Sequence, residues 1–286
     1  MRLSTAIRRF DIQLTADGKS DHTCGAYLRD LKSLSDWLRT DTDISSITPN
    51  IVAKYLASEV LSTKPAISAN RTKTALRVFF QFLTDAGYID TNPARLIKNG
   101  RTEAKVPAHL TAAEARRLMS VIRAAGGQAA GRDRALLTFL LQTGIRLGSA
   151  IGLKVHDVNF DQRTAQINGK GGTTQSIYLT SKIRRLLRSY IRASRLAADD
   201  PLFPSRNGGH LCARQVQLRF KHWLDKAGID RHLTVHSTRH TFAMNLYRQS
   251  GDLRLVQAAL GHKHITTTEI YARVEDKALR RALEKL

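Results

Sequence analysis

Apolar residues recur every three or four positions through most of the chain, with polar residues between them, and this spacing is typical of amphipathic α-helices. In the first part of the chain it predicts helices over residues 21–40, 48–61 and 68–86. Thr48 followed by Pro49 suits the N-cap and the first helical position of the second helix. Gly87 suits the end of the third, because glycine readily adopts the left-handed conformation that closes many helices.

The helical pattern breaks between residues 92 and 110. Asn92-Pro93 is a turn signal, and residues 98–110 are polar and contain Gly100 and Pro107. We interpret residues 98–110 as a linker. The chain is then expected to consist of a small helical domain, residues 1–97, and a larger domain, residues 111–286.

The larger domain begins with a helix-start signal, since Thr111 and Glu114 have the spacing of a capping box. A second helix, from about Arg132 to Thr143, is apolar on nearly every side and is therefore expected to be buried. Further helices are predicted over residues 180–196, 211–227, 236–250, 252–260 and 275–285.

Two segments of the larger domain have strand character, residues 153–167 and 173–179. Asn168-Gly169 lies between them and is a strong hairpin signal. The predicted fold is therefore mainly α, with a small β-hairpin or sheet in the second domain.

Charge points to the class of partner. The chain has 286 residues and a formal net charge of +22, of which residues 1–100 carry +4 and residues 101–286 carry +18. A single basic stretch such as residues 182–185 is ordinarily a solvated face. A surplus of eighteen opposes compaction, however, and predicts a surface that binds an anion, with nucleic-acid phosphate as the best fit.

Composition also excludes several classes of protein. The two cysteines, Cys24 and Cys212, allow neither a disulfide framework nor a four-cysteine zinc site. No apolar run reaches the roughly 18 residues of a membrane-spanning helix, and the first residues lack the apolar stretch of a secretory signal. We therefore expect a cytoplasmic protein with no membrane partner.

Several polar residues of the basic domain lie in unusual positions. Arg146 follows the predicted buried helix, where a charge needs a partner, although a salt-bridged helix end would explain it. Lys170 lies between glycines at the predicted hairpin tip, where exposed lysines are common. His236, Arg239 and His240 share one face of a helix start, either as satisfied structural residues or as a phosphate site.

The segment 260–271 adds a tyrosine to this set. Thr266 and Glu269 have capping-box spacing, which places Tyr271 on a short helix after a turn; as structure alone, this is a helix-turn-helix with a core tyrosine. Together with the basic residues, Tyr271 suits phosphodiester cleavage without a metal or other cofactor. A tyrosine, with a pKa near 10, needs a proton acceptor, and fixed guanidiniums can neutralise the transition state.

These residues resemble the motifs of the tyrosine recombinase (phage integrase) family. The matching segments are Thr143-Gly-Ile-Arg146, Gly169-Lys170-Gly171, His236-x-x-Arg239-His240 and Leu260-Gly-His262, with Tyr271 nine positions after His262. The resemblance implies a Xer-like, two-domain architecture. An N-terminal SAM-like helical domain would bind the DNA core site, and an α/β catalytic domain would follow it.

The resemblance also implies a reaction and a set of catalytic residues. The chain would be a site-specific recombinase that cleaves and rejoins DNA through a 3′-phosphotyrosyl link and a Holliday junction, during integration, excision or resolution of DNA elements. Six residues would have these roles: Arg146 and Arg239 hold the phosphate oxygens, Lys170 protonates the 5′-oxygen, His236 assists proton transfer, His262 bonds the phosphate and Tyr271 attacks.

The implied partners are double-stranded DNA with inverted-repeat core sites and three further protomers in a homotetramer. The resemblance also allows accessory DNA-bending proteins as partners, and it implies that the protein is associated with the bacterial nucleoid. The tail after Tyr271 has apolar residues at helical spacing and either packs on its own domain or, by resemblance, docks on a neighbouring protomer.

Two positions depart from the family pattern. Ser149 stands where an acidic residue is usual, three positions after the first arginine, and Thr173 and Thr174 replace basic residues of the hairpin. Ser149 leaves room for a second hypothesis, a non-catalytic DNA-binding regulator on the same fold. A third, a zinc hydrolase that uses His236, His240, His262 or His264, lacks the glutamate that follows the first histidine in HExxH proteases.

Overall fold

The protein divides into two compact units, Met1–Ala104 and Lys105–Leu286. The computed structural model describes residues 1–101, 107–168, 174–261 and 268–272. Its architecture is mainly helical with one small sheet, which confirms the predicted fold class. Of the helices in these described ranges, none combines the length and the apolar content that crossing a membrane requires.

The described residues of the first unit form five helices around an apolar core. These are α1 (Leu3–Ala16), α2 (Asp21–Leu38), α3 (Pro49–Ala57), α4 (Glu59–Ser62) and α5 (Ala66–Asp85). Helix α1 was not predicted from the sequence, although its apolar residues have helical spacing and Arg8, Arg9 and Asp11 lie between them. The helix nevertheless buries an apolar stripe made of Leu3, Ala6, Phe10 and Leu14.

The single helix predicted over residues 48–61 is wrong in its middle. Helix α3 ends at Ala57 and α4 begins at Glu59, with Ser58 between them in an extended conformation. The Ser58 hydroxyl donates a 2.6 Å hydrogen bond to the Tyr55 carbonyl. A serine that bonds a nearby carbonyl offers the backbone an alternative to the helix, and periodicity alone does not reveal that competition.

The second unit contains seven labelled helices in its described residues. These are α6 (Ala112–Ala125), α7 (Gly127–Thr143), α8 (Leu147–Ile151), α9 (Ser181–Ser194), α10 (Ala213–Lys226), α11 (His236–Ser250) and α12 (Leu253–Leu260). The capping box at Thr111 and Glu114 is confirmed, with both reciprocal hydrogen bonds present. Helix α7 begins at Gly127, five residues before the predicted start, and it is buried as expected.

The sheet is smaller than the predicted strands. The expectation of a strand over residues 153–167 is wrong at its start, where Val155–Asp157 form a 3₁₀ turn and the Asp157 carboxylate accepts from the Lys154 N–H. Strands β1 (Val158–Asn159), β2 (Thr164–Asn168) and β3 (Thr174–Tyr178) pair antiparallel in that order. The hairpin pairing of β2 with β3 is confirmed. Its tip, with Lys170, lies outside the described residues, as does the helix predicted over residues 275–285.

A buried carboxylate joins α7 to α10. Asp133 on α7 is only 4% exposed. It accepts hydrogen bonds from Arg132, from Nε of Arg219 at 2.7 Å and from the indole N–H of Trp223 at 2.8 Å. Because several donors converge on it, removing the carboxylate would leave the buried Trp223 indole N–H and the partly exposed Arg219 guanidinium without this acceptor.

We expect Asp133→Ala to destabilise the second unit by about 1–3 kcal/mol, the usual cost of leaving a buried hydrogen-bond donor such as the Trp223 N–H without its acceptor. Urea unfolding, followed by Trp223 fluorescence in a Trp37→Phe background, measures this. The control is Asp225→Ala, an exposed position on α10 that should change stability by no more than about 0.5 kcal/mol. Equal unfolding midpoints for the two variants would contradict the assigned role.

Candidate active site

The site is built where α7 ends. Gly144 closes α7 in the left-handed conformation, with φ of 63°, and its N–H bonds the Leu140 carbonyl. The ring of Phe242 lies against it, so a Cβ at this position would be 2.3 Å from the Phe242 Cδ1. Both the conformation and the lack of space therefore require glycine here.

Arg239 on α11 is the buried cation of the site. Its side chain is 3% exposed, and its two terminal nitrogens donate to the carbonyl of Gly144 at 2.7 Å and to that of Leu260 at 2.8 Å. These carbonyls lie at the C-terminal ends of α7 and α12, where helix carbonyls lack partners and the dipole is negative. The two bonds fix the guanidinium and use two of its five N–H donors.

A second guanidinium lies near enough to affect Arg239. Burial, and then the charge of Arg146, lowers the pKa of Arg239 to about 10, while Tyr271 acts in the opposite direction. Arg239 therefore stays cationic at neutral pH. Arg146 itself is exposed and has extended backbone immediately before α8. Two neighbouring cations, one of them buried, are an arrangement that a bound anion would stabilise.

Tyr271 lies inside an apolar cluster of the same unit. The described residues 269–272 are helical, and Tyr271 is only 1% exposed. It packs with Ala243, Met244, Val256 and Leu260. Its hydroxyl forms a 3.0 Å hydrogen bond with Nδ1 of His240. Burial raises the pKa of the Tyr271 phenol, and the charge of Arg239 partly offsets this rise.

His236 is the first residue of α11 and lies one turn before His240. The two rings meet edge to face, with centroids 4.8 Å apart. The His236 residue keeps part of its surface open to solvent, but neighbouring atoms displace enough water to lower its pKa. The charges of Arg239 and Arg146 lower that pKa further, so His236 is neutral at pH 7 and can accept a proton.

Of the six residues proposed from sequence, the structure describes four. The charges of Arg146 and Tyr271 both affect the pKa of Arg239. The charges of Arg146 and Arg239 both lower the pKa of His236. Lys170 and His262 lie outside the described residues. His240 had no role in the recombinase hypothesis drawn from the sequence, although its place on the same helix face as His236 and Arg239 was a usable signal. Ser149 lies on α8, partly buried.

Two family descriptions match the chain. The model of the Phage integrase family matches residues 108–278, and that of the Phage integrase, N-terminal SAM-like domain matches residues 7–87. One similar protein is the tyrosine recombinase XerC of Xylella fastidiosa (strain 9a5c). It is 34% identical over 261 residues, which span 90% of this chain and 88% of the relative.

Solved structures share the fold. The recombinase XerH in a post-cleavage complex with the palindromic difH substrate superposes with a TM-score of 0.78 and 24% identity, over 91% of this chain and 78% of the other. A lambda integrase tetramer bound to a Holliday junction gives a TM-score of 0.75 and 20% identity, over 93% and 79% of the two chains.

We expect Gly144→Ala to destabilise the second unit by roughly 1–3 kcal/mol, because alanine is strained in the left-handed conformation and its Cβ would strike Phe242. Urea unfolding measures the loss. Gly148→Ala is the matched control, since Gly148 lies in α8 with open space around its Cα, and it should be neutral or slightly stabilising. A neutral Gly144→Ala would show that the α7 terminus can relax.

We expect the imidazole of His236 to titrate below its ordinary pKa of 6.5. The unfolded chain then binds this proton more readily, so the contribution of His236 to stability is full above about pH 6.5 and declines as pH falls toward the folded-state pKa. NMR titration of ring C–H signals, assigned by comparison with His236→Gln, measures the midpoint. A midpoint at or above 6.5 would contradict the lowered pKa.

Proposed function

The chain belongs to the phage integrase family of tyrosine recombinases, and we propose that it breaks and rejoins specific DNA sites with Tyr271 as its nucleophile. The observation that carries this assignment is the fixed guanidinium of Arg239, which is electrostatically coupled both to Arg146 and to the Tyr271 phenol. A phosphate diester held by the two arginines would lie close to the positive charge of Arg239, and the same charge favours the phenolate form of Tyr271.

In the proposed cleavage step the Tyr271 oxygen attacks the phosphorus, the bond to the 5′-oxygen breaks, and the protein becomes joined to the 3′-phosphate. Arg146 and Arg239 neutralise the charge that grows on the non-bridging oxygens. The departing oxygen takes a proton from Lys170, and His262 bonds the phosphate, as the family resemblance implies. Rejoining is the same step in reverse, so one phosphoester replaces another without an external energy source.

The proton of the Tyr271 hydroxyl needs an acceptor. Two imidazoles support this step: His240, whose Nδ1 already bonds the hydroxyl, and the neutral His236 one helical turn away. An imidazole suits this role because its ordinary pKa lies near neutral pH. We therefore assign His240 to holding and deprotonating the phenol, with His236 assisting proton transfer.

The proposed partners follow from the reaction. Strand exchange needs two double-stranded DNA sites, each with inverted repeats, and four protomers that assemble as a homotetramer around a Holliday junction. The surplus of basic residues after residue 100 supports binding to a polyanion. The proposal also includes accessory DNA-bending proteins and localisation at the bacterial nucleoid.

Covalent capture from a mixture of DNA fragments tests the assignment and selects the target site in the same experiment. The chain is incubated with nicked, fragmented genomic DNA of its source organism, so that a short fragment can diffuse away after cleavage and prevent rejoining. Detergent-stable adducts are then isolated, the attached DNA is sequenced, and the modified peptide is identified by mass spectrometry. We expect enriched sequences with inverted repeats and a phosphotyrosyl bond at Tyr271.

The matched controls separate chemistry from packing. Tyr271→Phe should bind DNA and form no adduct, whereas Tyr247→Phe, which alters another tyrosine of the same apolar cluster, should form adducts normally. Adducts with Tyr271→Phe would overturn the choice of nucleophile. Absence of any wild-type adduct on DNA that the chain binds would favour the non-catalytic regulator.

A further inference from the structure

The outer face of α9 carries an unusual concentration of positive charge. The inward face of the helix buries Ile183, Leu187 and Tyr190 in the core of the second unit. The opposite side and the C-cap expose five cations, which we call the α9 basic face: Lys182, Arg185, Arg188, Arg192 and Arg195. At 1.5 Å per residue this face extends for roughly 20 Å.

The first half of the α9 basic face works against the stability of its own helix, whereas Arg192 in the last turn suits the negative end of the helix dipole. The helix has no Asp or Glu, so Arg188 meets like charges at i−3 and i+4, each of which costs a few tenths of a kcal/mol. Lys182 also lies in the first turn, at the positive end of the helix dipole. Within the described residues, the carboxylate paired with this face is that of Asp161, 3.8 Å from Arg188 and almost fully exposed. Such a pair contributes little.

The residue composition of the α9 basic face indicates which class of molecule it binds. A membrane would need the apolar side of the helix, which is already buried in the protein core. Four of the five cations are arginines, whose forked donors match the paired oxygens of a phosphodiester. Tyr178, the last residue of β3, precedes the helix by three positions and exposes 84% of its surface.

Contacts along α7 locate the face relative to the candidate active site. The Thr180 hydroxyl, at the start of α9, donates to the side-chain oxygen of Gln142, close to the end of α7 that leads to Gly144. The far end of α9 lies near the start of α7, where Tyr190 and Ser194 line a cavity of about 400 Å³ with Gln128. The two helices therefore run antiparallel, and the α9 basic face leads away from the site.

We propose that the α9 basic face is a second DNA-binding surface, which holds the backbone of DNA outside the base pairs around the scissile phosphate. It supplies a phosphate track that begins beside the site and continues along the second unit. Under this proposal Lys182 and Arg185, which the sequence alone suggested as part of a solvated face, bind phosphate.

The experiment compares two matched pairs of substitutions in a Tyr271→Phe background, where cleavage is blocked. The test variant is Arg185→Gln with Arg192→Gln on α9. The control is Arg116→Gln with Arg123→Gln on α6, which are also exposed arginines seven positions apart in the second unit. The probe is a 60-base-pair duplex of arbitrary sequence, titrated at several salt concentrations between about 50 and 200 mM.

We expect the α9 variant to bind this duplex about tenfold more weakly. The slope of log K against log salt should become less negative by about 1.8, or about 0.9 for each lost phosphate contact. The α6 control should keep both values. Equal slopes for the two variants would overturn the proposal, as would α9-dependent binding of a polyglutamate peptide that exceeds binding of the duplex. Because the assay needs no cleavage, it can fail or succeed independently of the recombinase assignment.

Discussion

The structure of the site depends on the burial of one positive charge. The Arg239 guanidinium is almost completely removed from water, and an isolated cation in that position would be very unfavourable. The carbonyls of Gly144 and Leu260 replace the lost water, so the ends of α7 and α12 meet at one point on α11. Gly144 adopts a left-handed conformation against the Phe242 ring, and this conformation fixes the end of α7. The position of the carbonyl that binds Arg239 therefore depends on the glycine.

The electrostatic consequences of that burial explain the chemistry proposed for the site. A guanidinium held by neutral carbonyls keeps its full positive charge, and Arg146 adds a second one nearby. An anion that enters relieves the repulsion between them, while the neutral His236 and the phenol bonded to His240 provide groups that exchange protons. The site therefore gains most from a ligand whose negative charge grows during the reaction, as that of a phosphodiester does when an oxygen attacks it.

The sequence predicted those parts of the fold whose causes are local. The capping box at Thr111, the buried helix α7 and the β2–β3 pairing follow from spacing, apolar content and turn residues. Predictions failed where short-range polar bonds compete with regular structure, as at Ser58 and at the 3₁₀ turn after Lys154. Helix α1 was missed although the spacing of Leu3, Ala6, Phe10 and Leu14 was a usable signal in the sequence.

The candidate site could be read from the sequence only in part. Arg146, Arg239 and Tyr271 stand out by motif, yet their spacing says nothing about which carbonyls fix Arg239 or which imidazole reaches the phenol. Those contacts join residues up to 95 positions apart, so they depend on tertiary packing. The close approach of Phe242 to Gly144 is of the same kind, since the glycine was visible in the sequence and the ring above it was not.

The most direct test of the central claim is an experimental structure of the chain on its target duplex, with vanadate bridging the cleaved strand as a mimic of the pentacoordinate phosphorus. We expect Arg146 and Arg239 to donate hydrogen bonds of about 2.7–3.2 Å to the equatorial oxygens and the Tyr271 oxygen to occupy an apical position. The central claim would be contradicted by a vanadium centre that Arg239 does not touch, or by an apical oxygen supplied by water instead of Tyr271.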